Sequence, residues 1–474
     1  MQARVDSLSP AALRMSHDWP LLAALTTGTS AMRAAGPRFL PKWPKEDDAS
    51  YSARLATAVL FPAFKYTISV MASKPFTRPM NWGTEPPAQL LELLDDVDRQ
   101  GTNIHAFAAG ILASVLKNGV AGVLVDYPPA LGIRTIADEQ AAGVRPYMVI
   151  YEAPAILGWR VENTPSGPEL VQLRLLEIVT EPDGEWGEVE IKQVRVLTPG
   201  AFTIYRKDAK GDWIEYETGV MSISRIPFVF FYGERDGYGV GSSPLIDLAH
   251  LNVEHWQSTS DQQTILHVAR VPILFAKGFS EGENLTVGAN AAVRAFAGDA
   301  DLKYVEHTGA AIDAGRLSIL DLEDRMRQAG AELLVQRPAI ATATQVKSES
   351  EAQRSILQMI VETFEESLEE TVELMCEWIG LKFDPEIELF KDFSASEMSD
   401  KAGDLLLRAA GTGIVSKETA FRGLQRMDVV HPSVDWEEEG ARIADSVVEE
   451  DSRAIQNEKA RADIVPALAK LKSK

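Results

Sequence analysis

The chain contains very little cysteine: one residue, Cys376, among 474. A single thiol can form neither an internal disulfide nor a thiolate metal cluster, so we expect a reducing cytosolic compartment. Long apolar runs are also missing, because the longer ones, such as Gly119–Val125 and Val271–Ala276, are too short to cross a bilayer. Charges interrupt residues 1–30, so we predict no signal peptide.

Positive charge is scarce. The chain has 47 Lys and Arg against 69 Asp and Glu, a net charge of −22. Tight binding of DNA requires clustered cations that neutralise phosphates, and this composition argues against it. A surface that nucleic acid passes without sticking is still compatible with it. Apolar residues make up 45% of the chain, which is enough for real cores, and the length suggests two or three domains.

The most informative segment is Arg337–Gly380. A loop of small, uncharged residues, Pro338–Thr344, precedes an acidic stretch with nine Glu between Ser348 and Gly380. Apolar residues recur there at spacings of mostly three or four, which predicts a helix from about Lys347 to Ile379, roughly 50 Å long. Thr344 or Ser348 could cap its first turn. The apolar positions are Ile356, Met359, Ile360, Phe364, Leu368, Val372, Met375 and Ile379.

The remaining pattern predicts an α+β fold that is mainly helical. Helices precede Gly119, including one that starts near Asp47 and is kinked at Pro62, and one that starts at Asn103. Val, Ile and aromatic runs between Pro146 and Phe231 predict meander-like strands. Two helices, Pro244–Val268 and Asp313–Val335, flank a compact segment with strands at Pro272–Ala276 and Leu302–Val305.

Two motifs look like chemistry at first sight. His250, Glu254 and His255 spell H-x₃-E-H, which matches neither the H-E-x-x-H nor the H-x-x-E-H zinc spacing, so a helix surface is the better interpretation. The Gly237–Ser243 stretch is rich in glycine, but it lacks the Lys-Ser/Thr ending of a phosphate-binding loop. We therefore interpret it as a hinge.

Acidic clusters offer equally weak signals. Asp95, Asp96 and Asp98 fit a solvated helix end better than a cation site, and Asp126 after a buried strand lacks partner acids. Nucleophile, base and charge stabiliser are nowhere combined, so we predict no enzyme activity, no cofactor and no metal. The Glu365–Glu377 run is most simply a hydrated face, which Arg325, Arg327 or Arg354 could pair in an assembly.

The order of these elements resembles phage portal proteins, and in particular a group catalogued as a phage domain of unknown function. The resemblance covers most of the chain and implies a ring, commonly twelvefold, at one vertex of a capsid, through which a separate motor pumps DNA. The stretches that carry it are Tyr51–Pro75, Asp98–Pro128, Arg145–Arg160, Ser243–Asp261 and Ala341–Leu357.

The resemblance also assigns parts to this chain. They are a wing (1–241, with N-terminal helices and a β-rich part 146–232), stem helices (244–270 and 313–335), a clip (271–309), a tunnel loop (336–346), a long helix (347–380), and a C-terminal strand with a helical crown (381–474).

Site residues and partners follow from the same resemblance. The implied partners are other copies of the chain, terminase, the major capsid or scaffold protein, a head-tail adaptor, and double-stranded DNA that passes without sequence specificity; no membrane is involved. Assembly in the host cytoplasm and a final location in the virion are implied. The channel residues would be Arg337, Ala341, Thr342, Ala343, Thr344, Gln345 and Lys347, and the clip residues Lys277, Phe279, Asn284, Asn290 and Arg294.

Two other interpretations remain open at this point. One is an acidic α+β enzyme that handles phosphates through the Gly237–Ser243 loop and Asp126. It predicts a monomer or dimer with a carboxylate-lined pocket. The other is a phage structural protein other than the portal, which would keep the ring without the tunnel loop.

Overall fold

A computed structural model describes residues 4–128, 144–165, 167–269, 273–277, 301–305, 310–331 and 355–391, with shorter stretches between 393 and 442. The chain divides into two compact units, residues 1–391 and 392–474. Helices outnumber strands in length, and the predicted mixed α+β class is confirmed. Strand Ile387–Glu388 belongs to the first unit, so the predicted grouping of 381–474 as one part is wrong at its start.

Seven helices open the described chain: α1 Pro10–Met15, α2 Trp19–Thr27, α3 Thr29–Ala35, α4 Asp48–Thr57, α5 Ala63–Ser73, α6 Ala88–Leu94 and α7 Ile104–Asn118. Asp47 caps α4 through the N–H groups of Ala49 and Ser50, as predicted. The predicted kinked helix is instead two helices, because Ala58 is extended, with ψ of 136°. Helix α7 matches its prediction from Asn103 to Gly119.

Strands β1 to β11 follow, mostly after α7: β1 Asn81–Trp82, β2 Val120–Asp126, β3 Tyr147–Glu152, β4 Ile156–Thr164, β5 Gly167–Asp183, β6 Gly187–Thr198, β7 Ala201–Lys207, β8 Trp213–Val220, β9 Phe228–Tyr232, β10 Glu234–Gly237 and β11 Val240–Ser242. They form a three-stranded sheet in the order β3-β2-β9 and a five-stranded meander β4-β5-β6-β7-β8, both antiparallel. The meander confirms the predicted topology.

The last described elements are α8 Ile246–Ala269, β12 Ile273–Lys277, β13 Asp301–Val305, α9 Ala310–Ala331, α10 Ile356–Trp378, β14 Ile387–Glu388 and, in the second unit, α11 Lys417–Arg426. Strand β14 pairs with β1. No helix among the described residues has both the length and the apolar character needed to span a membrane.

The core of the first unit is layered around the three-stranded sheet. Val123 lies opposite Ile150 and Val229, so these side chains share a face. Helix α7 packs on this face, and α10 packs there as well through the rings of Phe231 and Phe364, 5.1 Å apart. The opposite face buries Leu124, Phe228 and Phe230 together with Leu173 and Leu197 of the meander. Strands β2 and β9 are therefore buried on both faces.

Candidate functional site

Helices α8 and α9 run antiparallel. Near one end Gln262 Nε2 donates to the Ile312 carbonyl oxygen at 2.9 Å, and further along His255 Nε2 lies 3.5 Å from Glu323 Oε1. At the other end Gly330 faces Leu248. The residue numbers fall on one helix as they rise on the other, so the contact extends over most of both helices. These are the helices that the resemblance assigns to the stem.

One end of the pair is fixed to the α+β body. Asn252 is fully buried, its Oδ1 accepts from the Phe64 N–H at 3.0 Å, and its Nδ2 donates to the Phe61 carbonyl oxygen at 2.9 Å. The Asn252 side-chain amide thus provides hydrogen-bond partners for two backbone groups at the start of α5, and it links α8 to that helix. Ser243 just before α8 donates to the Leu116 carbonyl oxygen of α7. The pair therefore starts from a rigid base.

The far end of the pair leads into a hairpin. Strands β12 and β13 pair antiparallel from Ile273 opposite Val305 to Lys277 opposite Asp301. The two strands predicted for the clip are thereby confirmed within about a residue. Lys277 is the last residue of β12. The other predicted clip residues, Phe279, Asn284, Asn290 and Arg294, lie outside the described residues.

The His250/Glu254/His255 motif is divided between two surfaces. His255, on α8, is buried beside Phe61 and Glu323, and its ring lies 5.3 Å from that of Phe61. His250 and Glu254 are exposed, and Glu254 pairs with Arg325 of α9. The helix-surface interpretation therefore holds for two of the three residues. Within the described part of the chain, no group of three His, Cys, Asp or Glu is placed to hold a metal ion.

The long acidic helix starts later than its sequence pattern suggests. Ser355 is extended, and its Oγ accepts from the Gln358 N–H while Gln358 Oε1 accepts from the Ser355 N–H. This capping box fixes the first turn of α10 at Ile356. The helix therefore does not extend back to Lys347 as predicted, and the predicted caps Thr344 and Ser348 lie outside the described residues. The 23 residues of the helix span roughly 35 Å rather than 50 Å.

The apolar face of α10 is covered within the subunit. Ile360, Phe364, Leu368, Val372 and Met375 are all at most 3% exposed. Trp378 Nε1 donates to the Val125 carbonyl oxygen at 3.0 Å, which fixes the helix end to β2. Met359, assigned to the same stripe, is exposed. Burial of this stripe does not require a second subunit.

The acidic side of α10 is mostly solvated, with one exception. Glu365 is buried, and it accepts from the Leu389 N–H and from Lys391 Nζ. Burial raises the pKa of Glu365, although these two donors oppose the shift. The prediction of a hydrated face is wrong at this position.

A cation outside the helix pairs with the solvated glutamates. The Arg225 guanidinium lies 3.1 Å from Glu377, 3.8 Å from Glu370 and 4.0 Å from Glu373. The predicted partners Arg325 and Arg327 instead pair within the α8–α9 helices, and Arg354 lies outside the described residues. Arg225 follows β8 and is far from α10 in sequence, so no local pattern could have identified it.

The predicted channel residues lie outside the described part of the chain. They are Arg337, Ala341, Thr342, Ala343, Thr344, Gln345 and Lys347.

The glycine-rich segment is a packed hairpin of β10 and β11. The Gly239 N–H donates to Tyr232 Oη at 2.8 Å, and a Cβ on Gly239 would lie 2.5 Å from the ring of Trp159. A Cβ on Gly241 would lie 2.6 Å from the Gly119 carbonyl oxygen. The glycines permit this close packing against Trp159 and the Gly119 carbonyl. The hinge role of this segment stays a prediction.

Asp126 belongs to a buried polar network. It accepts from Arg195 at 2.8 Å and from Tyr147 Oη at 3.0 Å, and Arg195 also contacts Glu177. Burial opposes the charge on Arg195, but the two carboxylates raise its pKa overall. Tyr151 donates to Glu177, and burial together with that carboxylate raises the pKa of Tyr151. The network joins the two sheets, which is a structural role.

The aspartates after α6 hold a turn. Asp96 accepts from Arg145 and from the Gly101 N–H, and Asp98 accepts from the N–H groups of Gln100 and Thr102. Helix α6 ends at Leu94, just before this turn.

Residues 244–379 match the model of a family described as Domain of unknown function (DUF4055). The match begins just before α8, spans the paired helices and reaches the end of α10. It confirms, for this part of the chain, the predicted resemblance to a group described as a domain of unknown function. No curated protein shows detectable similarity to the chain.

Several solved structures align with most of the chain at low identity. One is described as "Virion of native gene transfer agent (GTA) particle", with 14% identity, 83% of this chain and 96% of the other covered, and a TM-score of 0.40. A second is described as "Neck of empty GTA particle computed with C6 symmetry", with 12% identity, 81% of this chain and 94% of the other covered, and a TM-score of 0.44. A third, "Neck of native GTA particle computed with C12 symmetry", has 11% identity, covers 83% of this chain and 97% of the other, and has a TM-score of 0.39.

Proposed function

We propose that this chain is the subunit of a portal ring at one vertex of a phage capsid, where it forms the channel for DNA packaging and ejection. The observation that carries the proposal is the antiparallel pair α8–α9, fixed to an α+β body at one end and leading into hairpin β12–β13 at the other. This is the arrangement that the resemblance implies for stem and clip. The family match over residues 244–379 supports it.

The negative charge on α10 is suited to a channel through which DNA must pass without binding. Glu366, Glu370 and Glu373 are exposed on a helix whose apolar face is buried in the body. Repeated around a ring, this negative charge would repel phosphates and keep a passing duplex from binding. Tight binding would stall transport. The net charge of −22 per subunit acts in the same direction.

In this proposal the chain has a structural role and no enzymatic activity. Asp126, Asp96 and His255 are engaged in structural contacts, and the Gly237–Ser243 hairpin is packed. The energy for packaging would come from a terminase that docks at the hairpin end of the stem. The head-tail adaptor would use the same end later, and capsid or scaffold protein would contact the outside of the ring. Assembly would take place in the host cytoplasm and the ring would remain in the virion.

A size measurement and an image test the proposal together. Purified full-length protein should give a particle of roughly 600 kDa by light scattering if the ring is twelvefold, since one subunit weighs 51.9 kDa. Negative-stain electron microscopy should show closed rings with a central channel. A stable monomer at micromolar concentration, in both low and high salt, would refute the portal assignment.

A further inference from the structure

The five-stranded meander has one face that is turned away from the three-stranded sheet. Along β5, Leu173 and Leu175 are buried in the core between the two sheets, so the intervening Arg174 projects from the opposite face. There Arg174 Nη1 donates to the carbonyl oxygens of Val5 and Ser7, at 2.8 Å and 2.7 Å. The N-terminal part of the chain therefore crosses the outer face of the meander.

A cavity of about 390 Å³ lies between this crossing segment and strands β4 and β5. Its lining includes three arginines, two serines and a glutamine: Arg4, Arg160, Arg174, Ser7, Ser9 and Gln172. Three arginines around one cavity stand out in a chain whose net charge is −22. We call this space the arginine cavity.

Arg160 and Arg174 are neighbours across the two strands. Arg160 lies opposite Gln172, and Gly158 lies opposite Arg174, so the two arginines occupy diagonal positions on one face. Long side chains at such positions reach one another, and like charges there repel. Burial lowers the pKa of Arg174 and the charge of Arg160 lowers it further, whereas Asp6 raises it. The two guanidiniums are thus close enough to affect each other.

The nearby carboxylates leave this pair of charges largely uncompensated. Asp6 is engaged by Arg4, whose Nε and Nη2 donate to its two oxygens at 3.1 Å and 2.9 Å. Glu162 and Glu169 lie opposite each other further along β4 and β5, where both are exposed. Among the described residues, neither glutamate forms an ion pair with the two arginines, and Arg160 has no ion-pair partner. Two positive charges therefore face a space that an anion could enter.

Hydrogen-bond donors surround the same space. Ser7 Oγ accepts from the Arg4 N–H, and Ser9 Oγ accepts from the Ala12 N–H, which leaves each hydroxyl hydrogen available as a donor. Gln172 contributes a side-chain amide from β5. Guanidinium, amide and hydroxyl donors thus come from both the crossing segment and the strands.

We propose that the arginine cavity binds a phosphate dianion, either free or as the terminal group of a phosphomonoester. A dianion neutralises both unpaired arginines, whereas a carboxylate or a phosphodiester carries a single charge. A tetrahedral oxyanion accepts hydrogen bonds in several directions, and guanidinium groups bind phosphate oxygens in pairs. The bound anion would fasten the N-terminal segment to the meander. This binding goes beyond the proposed function and does not depend on ring assembly.

Calorimetric titration of the full-length protein with inorganic phosphate tests the site, at constant ionic strength and about pH 7.5, where phosphate is mostly a dianion. Wild type should bind one phosphate per subunit. Arg160→Gln should raise the Kd at least about tenfold, because a charge-assisted pair of hydrogen bonds is lost. Lys192→Gln is the matched control, since it removes one exposed positive charge from β6 of the same sheet, outside the cavity. Its Kd should equal that of wild type.

Thermal unfolding separates a ligand site from a structural role. Arg160→Gln relieves the repulsion on Arg174, so without phosphate it should unfold at the wild-type temperature or above. Phosphate should raise the unfolding temperature of wild type and of Lys192→Gln but not that of Arg160→Gln. Arg160→Glu supplies an internal partner for Arg174 and should abolish binding while the protein stays folded. A phosphate response that survives Arg160→Gln would overturn the proposal.

Hydrogen exchange locates the anion. The Ser9 N–H, which donates to the Leu157 carbonyl oxygen of β4 at 2.8 Å, should exchange more slowly when phosphate binds wild type. Arg160→Gln should show no such protection. Phosphate that binds wild type without protecting residues 4–9 occupies another site, and this result would also overturn the proposal.

Comparison of ligands identifies the source of the phosphate. A lower Kd for adenosine monophosphate than for inorganic phosphate would identify a phosphomonoester, whereas an equal or higher Kd would identify free phosphate. Acetate at the same ionic strength should not bind, and equal responses to acetate and phosphate would refute a dianion site. A protein that binds phosphate but never forms rings would overturn the proposed function alone.

Discussion

Asp126 shows how an isolated residue can suggest chemistry although the fold engages it in a structural network. An acid at the end of a buried strand is common in enzymes that handle phosphates, and the sequence contains no sign of its partners. Arg195, Glu177 and Tyr147 come from strands that are far away in the chain. Only the stacking of the two sheets brings them together. The network could therefore not be predicted from the pattern around Asp126.

Asp126→Ala should lower the free energy of unfolding by about 2–3 kcal/mol, because it leaves the mostly buried Arg195 with one carboxylate fewer. Denaturant unfolding monitored by circular dichroism measures this. Asp126→Asn, which keeps the shape and one acceptor oxygen, is the control and should cost less. ATP hydrolysis by the wild type that disappears in Asp126→Ala would contradict the structural role and favour an enzyme.

Glu365 should make stability depend on pH. Its folded-state pKa is raised above the ordinary value near 4.5, so the folded state binds the proton more tightly than the unfolded chain does. The resulting stabilisation is present at low pH and is lost as pH rises through the folded-state pKa. From pH 7 to pH 5, wild type should therefore gain stability relative to Glu365→Gln. Unfolding of both proteins at each pH measures the difference.

Glu366→Gln provides the control, because it removes an exposed charge from the same turn of α10. An unchanged difference between wild type and Glu365→Gln across this range would show that burial does not perturb Glu365.

At the scale of elements, local signals decided what could be predicted. Helix α7 was predicted to the residue because both of its ends have capping residues. The Asn103 side chain accepts from the Ala106 N–H, and Gly119 adopts a left-handed conformation with φ of 82°. Strands β4 and β8 mix apolar and polar residues and lie at the two edges of the meander. Their pairing depends on neighbouring strands and leaves only a weak local pattern.

The start of α10 provides a test at the same scale. Ser355→Ala should cost about 1 kcal/mol of stability, because the Gln358 N–H loses its side-chain acceptor at the buried end of a helix. Ser355→Thr keeps the acceptor and should cost less. Thermal unfolding of both variants against wild type decides the matter. Equal stability of Ser355→Ala and wild type would mean that the capping box contributes nothing to the helix start.

For the whole molecule, the surfaces left exposed matter more than the long helix. The apolar stripe of α10 is buried inside the subunit. Leu317 and Leu320 remain exposed on α9, and Trp186 remains exposed in the turn between β5 and β6. Such side chains scattered along a sequence look like any other apolar residues. Their meaning depends on which faces the fold has already covered, so the candidate interfaces could not be predicted from the sequence.

The tunnel loop is the part of the proposal that depends most on the passing duplex. Residues 336–346 carry one charge, Arg337, and the Ala and Thr side chains from Ala339 to Thr344 are short. If the loop lines the channel, Ala341→Lys with Ala343→Lys adds two positive charges per subunit and a basic ring around the DNA. Phosphates would then be held during transport. We expect rings that assemble normally and heads that package DNA slowly or stall.

The measurement is complementation of a portal-deficient phage, with ring formation and packaged DNA scored separately. Ala341→Ser with Ala343→Ser is the control, because it changes the same positions without adding charge. Separate scoring distinguishes a defect in transport from a defect in assembly. If the double lysine variant packages and retains DNA as well as the serine control does, positive charge at these positions does not meet phosphates. The loop then does not face the DNA, and another segment of the ring must form the narrowest part of the channel.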